Sequence, residues 1–352
     1  MTIMALILYI DMDSCFASCE IARHPELSGK PLIVGSNPLN TKERGVVQAC
    51  NYEARKYGVH SAMPTTMAYR LCKDAAYIEA DDLYYEKVSS DIEQLLKSYG
   101  FKMEMDSIDE AALKIEPEDK DTAMEIAKSI KSQIKTRFGL PCTIGIAKGK
   151  VIAKIVCDSA KPDGMAFLAD KDVVPFLRDL SVGKIPGVGR KTEEKLASLG
   201  IKTVGDIAKT DPTVLFGALG SFGKDLFLIA NGNDQSGVSD ETPATSIGRE
   251  KTLDKNVNSV EEMSSMISEL SDAVIDEAKK MNVAFKNIGV KVRYSDFTDR
   301  VKSKSLNNYS DSEEVLTSTA KRLFFDLVGS KPVRKIGVRV SALSQRKGQK
   351  TL

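Results

Sequence analysis

The chain has 352 residues, with 50 Lys and Arg against 49 Asp and Glu, 42% hydrophobic and 28% charged residues. That length suits roughly two to four compact units, and the composition is that of an ordinary globular protein. Six cysteines without Cys-x-x-Cys spacing exclude a zinc-finger or disulfide scaffold, and only two histidines, His24 and His60, argue against histidine-based chemistry.

The first element is a strand over Leu6–Ile10, where five apolar residues in a row mark burial on both faces. No basic segment precedes it, the run is short and it ends in acid. It is therefore neither a signal peptide nor a membrane span. Together with the unpaired thiols, this points to a cytoplasmic protein. A segment starting at Ser14 follows, then strands at Pro31–Val34 and Val46–Val47. Asn51 to Tyr57 is a short helix ended by Gly58 in the C′ role, and Thr65 to Leu71 is another with Pro64 near its first turn. Residues 84–98 are helical. Met103 to Ala112 is strand-like, with Met103, Met105 and Ile108 inward, and forms a hairpin with a return strand near Ala112 to Ile115. A helix over 121–137 has Ala123, Ile126, Ile130 and Ile134 on one stripe. Strand 142–147, helix 150–160 and strand 165–168 complete an α+β sheet domain.

Beyond a soft boundary near 170–184, residues 185–230 read as all-helical. Asn231 to Pro243, polar and glycine-containing, reads as a linker. Residues 244–345 read β-α-β-β-α-β. The first helix there carries Val260, Met263, Ile267, Leu270 and Val274 at 3-4 spacing. The second opens on a capping box, Ser310-x-x-Glu313, and buries Leu316, Ala320, Leu323 and Leu327. Residues 244–352 carry 20 Lys and Arg against 14 Asp and Glu, while the remainder is net acidic. This asymmetry suits a polyanion partner handled by the C-terminal third.

Two strands run out in acid: Asp11 and Asp13 close the first, and Asp109 and Glu110 lie in Ser107-Ile108-Asp109-Glu110-Ala111. Ionised carboxylates cannot stay buried and unpaired at a strand end, because desolvation is too costly. If both strands share one sheet, Asp11, Asp109 and Glu110 meet at its rim as a hard oxygen site suited to Mg²⁺. The plainer alternative is that each acid caps a turn.

Other constellations point to phosphate. Ile185-Pro186-Gly187-Val188-Gly189 followed by a helix looks like a helix-hairpin-helix, whose backbone N–H groups grip a phosphate without reading sequence. A glycine turn between helices is the alternative. Tyr52 and Arg55 share a helix face, and a phenol with a guanidinium suits a polyphosphate tail. Lys161, in Ala160-Lys161-Pro162-Asp163-Gly164, ends a helix as a point cation, for phosphate or simply for the helix dipole. In the basic third, alternation sets Ile288, Val290, Val292 and Tyr294 against Lys291 and Arg293. Arg300, Lys302 and Lys304 share a face, as do Lys335 and Arg339 opposite Ile336, Val338 and Val340. The expected product is a sheet with helices on its apolar face and cations on the other, a platform for a phosphate backbone.

In this order and spacing the motifs resemble the Y-family (translesion) DNA polymerases, most closely the DNA polymerase IV branch. The resemblance covers nearly the whole chain. It rests on Asp11-Met12-Asp13, Asn51-Tyr52-Glu53-Ala54-Arg55-Lys56-Tyr57-Gly58-Val59, Ser107 to Ala111, Ala160 to Gly164, the helix-hairpin-helix and Arg334-Lys335-Ile336-Gly337-Val338-Arg339. It implies an α+β multidomain right hand. A ferredoxin-like palm would comprise 1–13 and 81–169, small fingers 14–80, a helical helix-hairpin-helix thumb 170–230, a linker 231–243, a β-α-β-β-α-β little finger 244–346 and a tail 347–352. Asp11, Asp109 and Glu110 would be the catalytic, metal-binding carboxylates, with the Met12 carbonyl as a further ligand. Two Mg²⁺ ions are implied per active site, with Mn²⁺ able to substitute. Tyr52, Arg55, Lys161, Cys15 and Phe16 would surround the incoming nucleotide, and Phe16 would be the steric gate against a ribose 2′-OH. Gly187, Gly189, Lys291, Arg293, Arg300, Lys302 and Arg339 would contact DNA. One departure stands out: Ala49 occupies the place of a threonine that, in many relatives, hydrogen-bonds the triphosphate, so that contact should be absent or replaced.

The implied activity is template-directed DNA synthesis of low fidelity and low processivity past damaged bases, by two-metal nucleotidyl transfer from dNTP with release of pyrophosphate. Small residues Ser14, Ala17 and Ser61 are expected to leave room above the nascent base pair. The expected partners are primer-template DNA and dNTP, with no membrane, and the chain is expected to be a monomer. Gln349-Lys350-Thr351-Leu352 is similar to the front half of a sliding-clamp box without its two aromatics, making a clamp a further expected partner through a truncated motif. Two rivals are a nucleotidyl cyclase, disfavoured by the DNA-gripping elements, and a DNA-binding scaffold with a dead palm, disfavoured by the intact carboxylates.

Overall fold

In a computed structural model, which describes residues 6–39, 44–116, 119–239, 244–329 and 331–345, the N-terminal apolar run becomes β1 (Leu6–Met12), buried throughout. It is followed by α1 (Cys15–Arg23), β2 (Leu32–Val34), β3 (Ala49–Cys50), α2 (Tyr52–Arg55), α3 (Thr65–Leu71), β4 (Ala76–Ile78) and α4 (Asp82–Lys97). Next come β5 (Lys102–Met105), β6 (Glu110–Ile115), α5 (Lys120–Phe138), β7 (Cys142–Ala147), α6 (Lys150–Ala160), β8 (Met165–Phe167) and α7 (Asp170–Leu177). Four helices follow: α8 (Arg190–Ser198), α9 (Val204–Lys209), α10 (Pro212–Leu219) and α11 (Ser221–Ala230). The chain closes with β9 (Ser246–Val257), α12 (Val260–Lys280), β10 (Val283–Tyr294), β11 (Asp299–Ser310), α13 (Glu313–Phe325) and β12 (Val333–Gln345). Two compact units result, the larger containing Gly45–Glu241 and the N-terminal residues, the smaller containing Thr242–Leu352.

β1 is the central strand of a five-stranded sheet, ordered β5-β6-β1-β7-β8 and antiparallel to both neighbours of β1. Its alternate residues feed two cores. Leu6, Leu8 and Ile10 pack with Val88, Ile92, Ile130 and Ile134, and Ile7 and Tyr9 pack with Ile152 and Val156 of α6. Both faces are covered, which is why no polar residue interrupts the run. α6 lies almost on the backbone of β7: a Cβ at Gly145 would fall 2.2 Å from the Ala153 carbonyl oxygen and 2.3 Å from the Cys157 nitrogen. The α6-side core continues through Leu177, Val182 and Ile185 to Leu196, Leu215 and Leu226. The soft boundary expected near 170–184 is therefore continuous core. A separate three-stranded sheet, β3-β2-β4, carries α2 and α3. In the smaller unit the sheet order is β11-β10-β12-β9, with α12 and α13 covering one face.

Four local expectations are corrected. Val46 makes a single bridge to Pro64, and the strand begins only at Ala49. The 103–112 run breaks after Met105, so Asp109 sits in the turn and Glu110 opens the return strand. The second helix of the smaller unit is capped by Ser312, whose Oγ accepts from the Val315 N–H, while Ser310 still belongs to β11. Residues 231–239 are bound to the larger unit through Asp234, Ser236 and Ser239, with Val238 buried. Among the described residues no helix is long and apolar enough to cross a membrane, and all six cysteines are free and buried.

The contact at Gly145 leaves no space for a methyl group, and backbone atoms cannot yield as a flexible side chain does. Gly145→Ala is expected to lower the unfolding free energy by about 1–3 kcal/mol, the usual cost of overpacking, read from the denaturation midpoint.

Candidate active site

The β1 register sets Asp11 opposite Glu110 on β6 and opposite Thr143 on β7. The Met12 N–H donates to the Asp109 carbonyl at 3.0 Å, which brings the turn carboxylate to the same sheet end. Each acid has a partner. Asp11 Oδ2 accepts from Lys161 Nζ at 2.5 Å, and Lys161 also reaches Asp158 at 2.9 Å. Glu110 accepts from Lys154 Nζ at 2.5 Å and from the Tyr9 hydroxyl at 2.8 Å. Asp109 accepts from Ser107 Oγ at 2.7 Å. Asp13, by contrast, ties three neighbouring segments together. Its buried carboxylate accepts from Thr143 Oγ1, the Asp163 N–H and the Tyr52 hydroxyl.

A cavity of about 350 Å³ opens here, and all the residues expected around metal and nucleotide line it: Asp11, Met12, Cys15, Phe16, Tyr52, Arg55, Asp109, Glu110 and Lys161. Arg55 lies over the Tyr52 ring, 4.7 Å from its centroid, and its Nε donates to the Cys50 carbonyl at 3.3 Å. Phe16 stacks on Tyr85 with centroids 4.4 Å apart and planes 10° from parallel, and the Tyr85 hydroxyl donates to buried Glu20. Ser14, Ala49 and Ser61 also line the cavity. Ala17 does not: it is wholly buried in the core, which corrects the expectation that it opens space above a base pair.

Burial pushes the Asp11 carboxyl up to about 7, against the pull of Lys161, with the Glu110 charge adding to the rise. Burial also opposes the charge on Glu110, but hydrogen bonds from Lys154, Asp11 and Tyr9 outweigh it and hold that carboxyl below its ordinary value. Of the two carboxyls, Asp11 is thus the one whose charge the site disfavours. Burial disfavours the Lys161 charge, yet Asp11 and Asp158 raise its pKa above the usual lysine range.

The described residues hold no ready-made cluster of three metal-ligating side chains, because each carboxylate is turned to a lysine, tyrosine or serine. The donor set is nonetheless all oxygen, the hard type that takes Mg²⁺ or Mn²⁺. A divalent cation would also relieve the desolvation that raises Asp11. The residues present fit such an ion.

Sequence reading missed part of this site. Lys150, Lys154, Asp158 and Lys161 stand at 4-4-3 spacing on one face of α6 and its C-terminal end, over Glu104, Asp106, Glu110 and Asp11. Lys150 bonds Asp106 at 2.6 Å and Glu104 at 2.9 Å, while Tyr9 also donates to Asp106. The helical spacing was the available signal.

The DNA-facing candidates divide. Gly187 takes φ +87°, a left-handed turn suited to glycine, and Gly189 caps α8, as a helix-hairpin-helix requires. In the smaller unit Lys291, Arg293, Lys335 and Arg339 share the helix-free face with Glu250 and Asp299, which pair with several of them. Arg300, Lys302 and Lys304 do not join them. They stand directly opposite Val292, Val290 and Ile288, on the face covered by helices, and Lys302 pairs with Asp326 at 2.7 Å just after α13. The single cationic platform is thus corrected to two sets on opposite faces.

The impB/mucB/samB family profile matches residues 10–158, and that family's C-terminal domain matches 244–352. The IMS family HHH motif matches 163–201 and the DNA polymerase-iota thumb domain 183–234. DNA polymerase IV of Methanoculleus marisnigri is 38% identical over 96% of this chain and 94% of its own length. The DNA polymerase IV of Lactococcus lactis subsp. cremoris is 38% identical over 97% and 95%. This chain belongs to the Y-family DNA polymerases. It is a DNA-directed DNA polymerase, and translesion synthesis is the family's general role. Its fold agrees: a Y-family polymerase chimera of Dbh and Dpo4 superposes with a TM-score of 0.88 at 29% identity, covering 97% of this chain and 99% of that one. An insertion ternary complex of Dbh DNA polymerase gives 0.68 at 28%, covering 97% and 99%.

Because the folded-state pKa of Asp11 lies above its unfolded value, this residue adds stability fully below the ordinary carboxylate range. That contribution is lost as pH rises through about 7. Removing the neighbouring cation with Lys161→Met should raise the Asp11 titration point further, measured by carboxyl ¹³C NMR. A fall would contradict the ion pair.

Proposed function

We propose that this polymerase extends a primer past damaged template bases with low fidelity and low processivity, transferring a nucleotidyl group from dNTP to the primer 3′-OH with release of pyrophosphate. The observation that carries the reading is the Asp11–Glu110 register, with Lys161, Tyr52 and Arg55 lining the same cavity. Asp11, the Met12 carbonyl, Asp109 and Glu110 would hold the divalent cations, Mg²⁺ with Mn²⁺ as substitute. When bound, these ions neutralise triphosphate charge and acidify the primer hydroxyl.

The chain's own side chains do the rest. Lys161 leaves Asp11 for the triphosphate, and Tyr52 and Arg55 orient its outer phosphates from one face of α2. Ala49 offers no hydroxyl to the nucleotide. Cys15 and Phe16 close the cavity on the sugar side, and Tyr85 behind Phe16 keeps the gate ring from turning aside. In this reading residues 1–13 and 81–169 act as palm, 14–80 as fingers, 170–230 as thumb and 244–346 as little finger. Gly187 and Gly189 hold a phosphate of the duplex, and Lys291, Arg293 and Arg339 face its backbone. Arg300 and Lys302 are set aside from that face by the register. A sliding clamp as partner rests on Gln349–Leu352, which lie outside the described residues.

Asp109→Ala is expected to abolish primer extension while leaving primer-template affinity in a gel-shift assay unchanged; retained extension would refute the carboxylate assignment. Phe16→Ala should raise ribonucleotide incorporation by about tenfold or more, the scale of a lost steric sieve. Unchanged sugar discrimination in single-nucleotide kinetics would remove the gate role.

A further inference from the structure

Helix α6 starts at Gly149 without a side-chain cap of its own. There is no room for one, because a Cβ at Gly149 would lie 2.1 Å from Asp234 Oδ2. The first-turn amides, which no helix can satisfy internally, are met by residues 82 to 86 positions downstream. The Ile152 N–H donates to Asp234 Oδ2 at 2.9 Å, the Val151 N–H to Ser236 Oγ at 3.0 Å and the Lys150 N–H to the Ser236 carbonyl at 3.1 Å. Asp234 Oδ1 in turn accepts from the Ser236 N–H at 2.9 Å and Oγ at 2.5 Å, so the two side chains work as one cap. The Ser239 N–H then donates to Glu104 Oε2 at 2.9 Å, and the other oxygen of that carboxylate holds Lys150.

A carboxylate at this place is favoured by both the cap bonds and the helix dipole. What matters for chemistry is where the helix leads. Lys154, on Glu110, lies within α6, and Lys161, on Asp11, directly follows its last turn; the i→i−4 hydrogen bonds make the helix between them shift as a unit. A shift of α6 as a whole would move both lysines relative to the carboxylates. Neither Asp234 nor Ser236 lines the cavity, so any effect they have on the reaction passes through α6.

We propose that Asp234 and Ser236 are positioning residues for nucleotidyl transfer, capping α6 from a distant segment so that Lys154 stays on Glu110 and Lys161 is held at the cavity wall. This rests on the reading of those carboxylates as the polymerase centre. A segment whose composition is that of a linker thereby becomes part of the support of the active site.

The test compares Asp234→Ala, Asp234→Asn and Ser236→Ala in the full chain. Asparagine keeps an oxygen for the Ile152 amide but sets its amide nitrogen against the Ser236 N–H, so Asp234→Asn should fall between the parent and Asp234→Ala. Asp234→Ala is expected to speed hydrogen exchange at the Val151 and Ile152 amides and to lower kcat for single-nucleotide incorporation about tenfold, the scale of a sub-ångström misplacement of reacting groups. Kd for primer-template should not change. Faster exchange with a parental kcat would overturn the proposal, since a purely structural cap would give that pattern; unchanged exchange would overturn it as well. Should Asp234→Ala fail to fold, Ser236→Ala removes one cap bond, leaves Asp234 in place and carries the same pair of readouts with a smaller fall in kcat. Glu110→Gln separates the two layers of inference. An active Glu110→Gln undoes the site assignment itself, whereas an inactive Glu110→Gln beside a fully active Asp234→Ala undoes only the cap.

Discussion

The whole active centre depends on one register: β1 against β6, with Asp11 across from Glu110. Two carboxylates side by side at a partly buried sheet edge cannot both be charged without cations nearby. The protein meets this constraint with two lysines from one helix, Lys154 for Glu110 and Lys161 for Asp11, and with the Tyr9 hydroxyl. α6 therefore has to sit in one place relative to the sheet. Gly145 lets it approach the backbone of β7, and Asp234 with Ser236 fixes its start.

The same geometry separates two aspartates that look alike in sequence. β1 ends at Met12, so Asp11 still points along the strand's alternation into the cavity, while Asp13 lies past the end and ties Thr143, Asp163 and Tyr52 together. One carboxylate faces the cavity. The other joins the strand end to the loop carrying Lys161 and to the helix carrying Arg55, so these two cations share an anchor with the strand that presents Asp11.

Much of this was legible before any coordinates. A continuous apolar run flagged the central strand, and the helical patterns placed α3 and α5 nearly to the residue and found the buried stripe of α12. The chemistry of Asp11, Asp109, Glu110, Tyr52, Arg55 and Lys161 brought them to one cavity. What stayed hidden has physical reasons. Lys150 and Lys154 look like solvent-facing lysines until the acids beneath them are known. Asp234 and Ser236 have the composition of a mobile linker, because the same side chains that favour turns also cap helices when one is within reach. The face occupied by Arg300 and Lys302 was not readable because β11 is exposed along nearly its whole length. With no apolar side, its alternation carries no sign, and only pairing with β10 sets it.

That exposure has a cost and an answer. β11 is an outermost strand twelve residues long, a length that offers a row of backbone donors and acceptors on which another chain might otherwise grow. Arg300, Lys302 and Lys304 place a positive charge at every second position along it. A second molecule laid against this border in antiparallel fashion would bring cation against cation, which disfavours cross-strand pairing. Side chains that the register sets apart from Lys291 and Arg293 thus oppose fibrous self-association along this border.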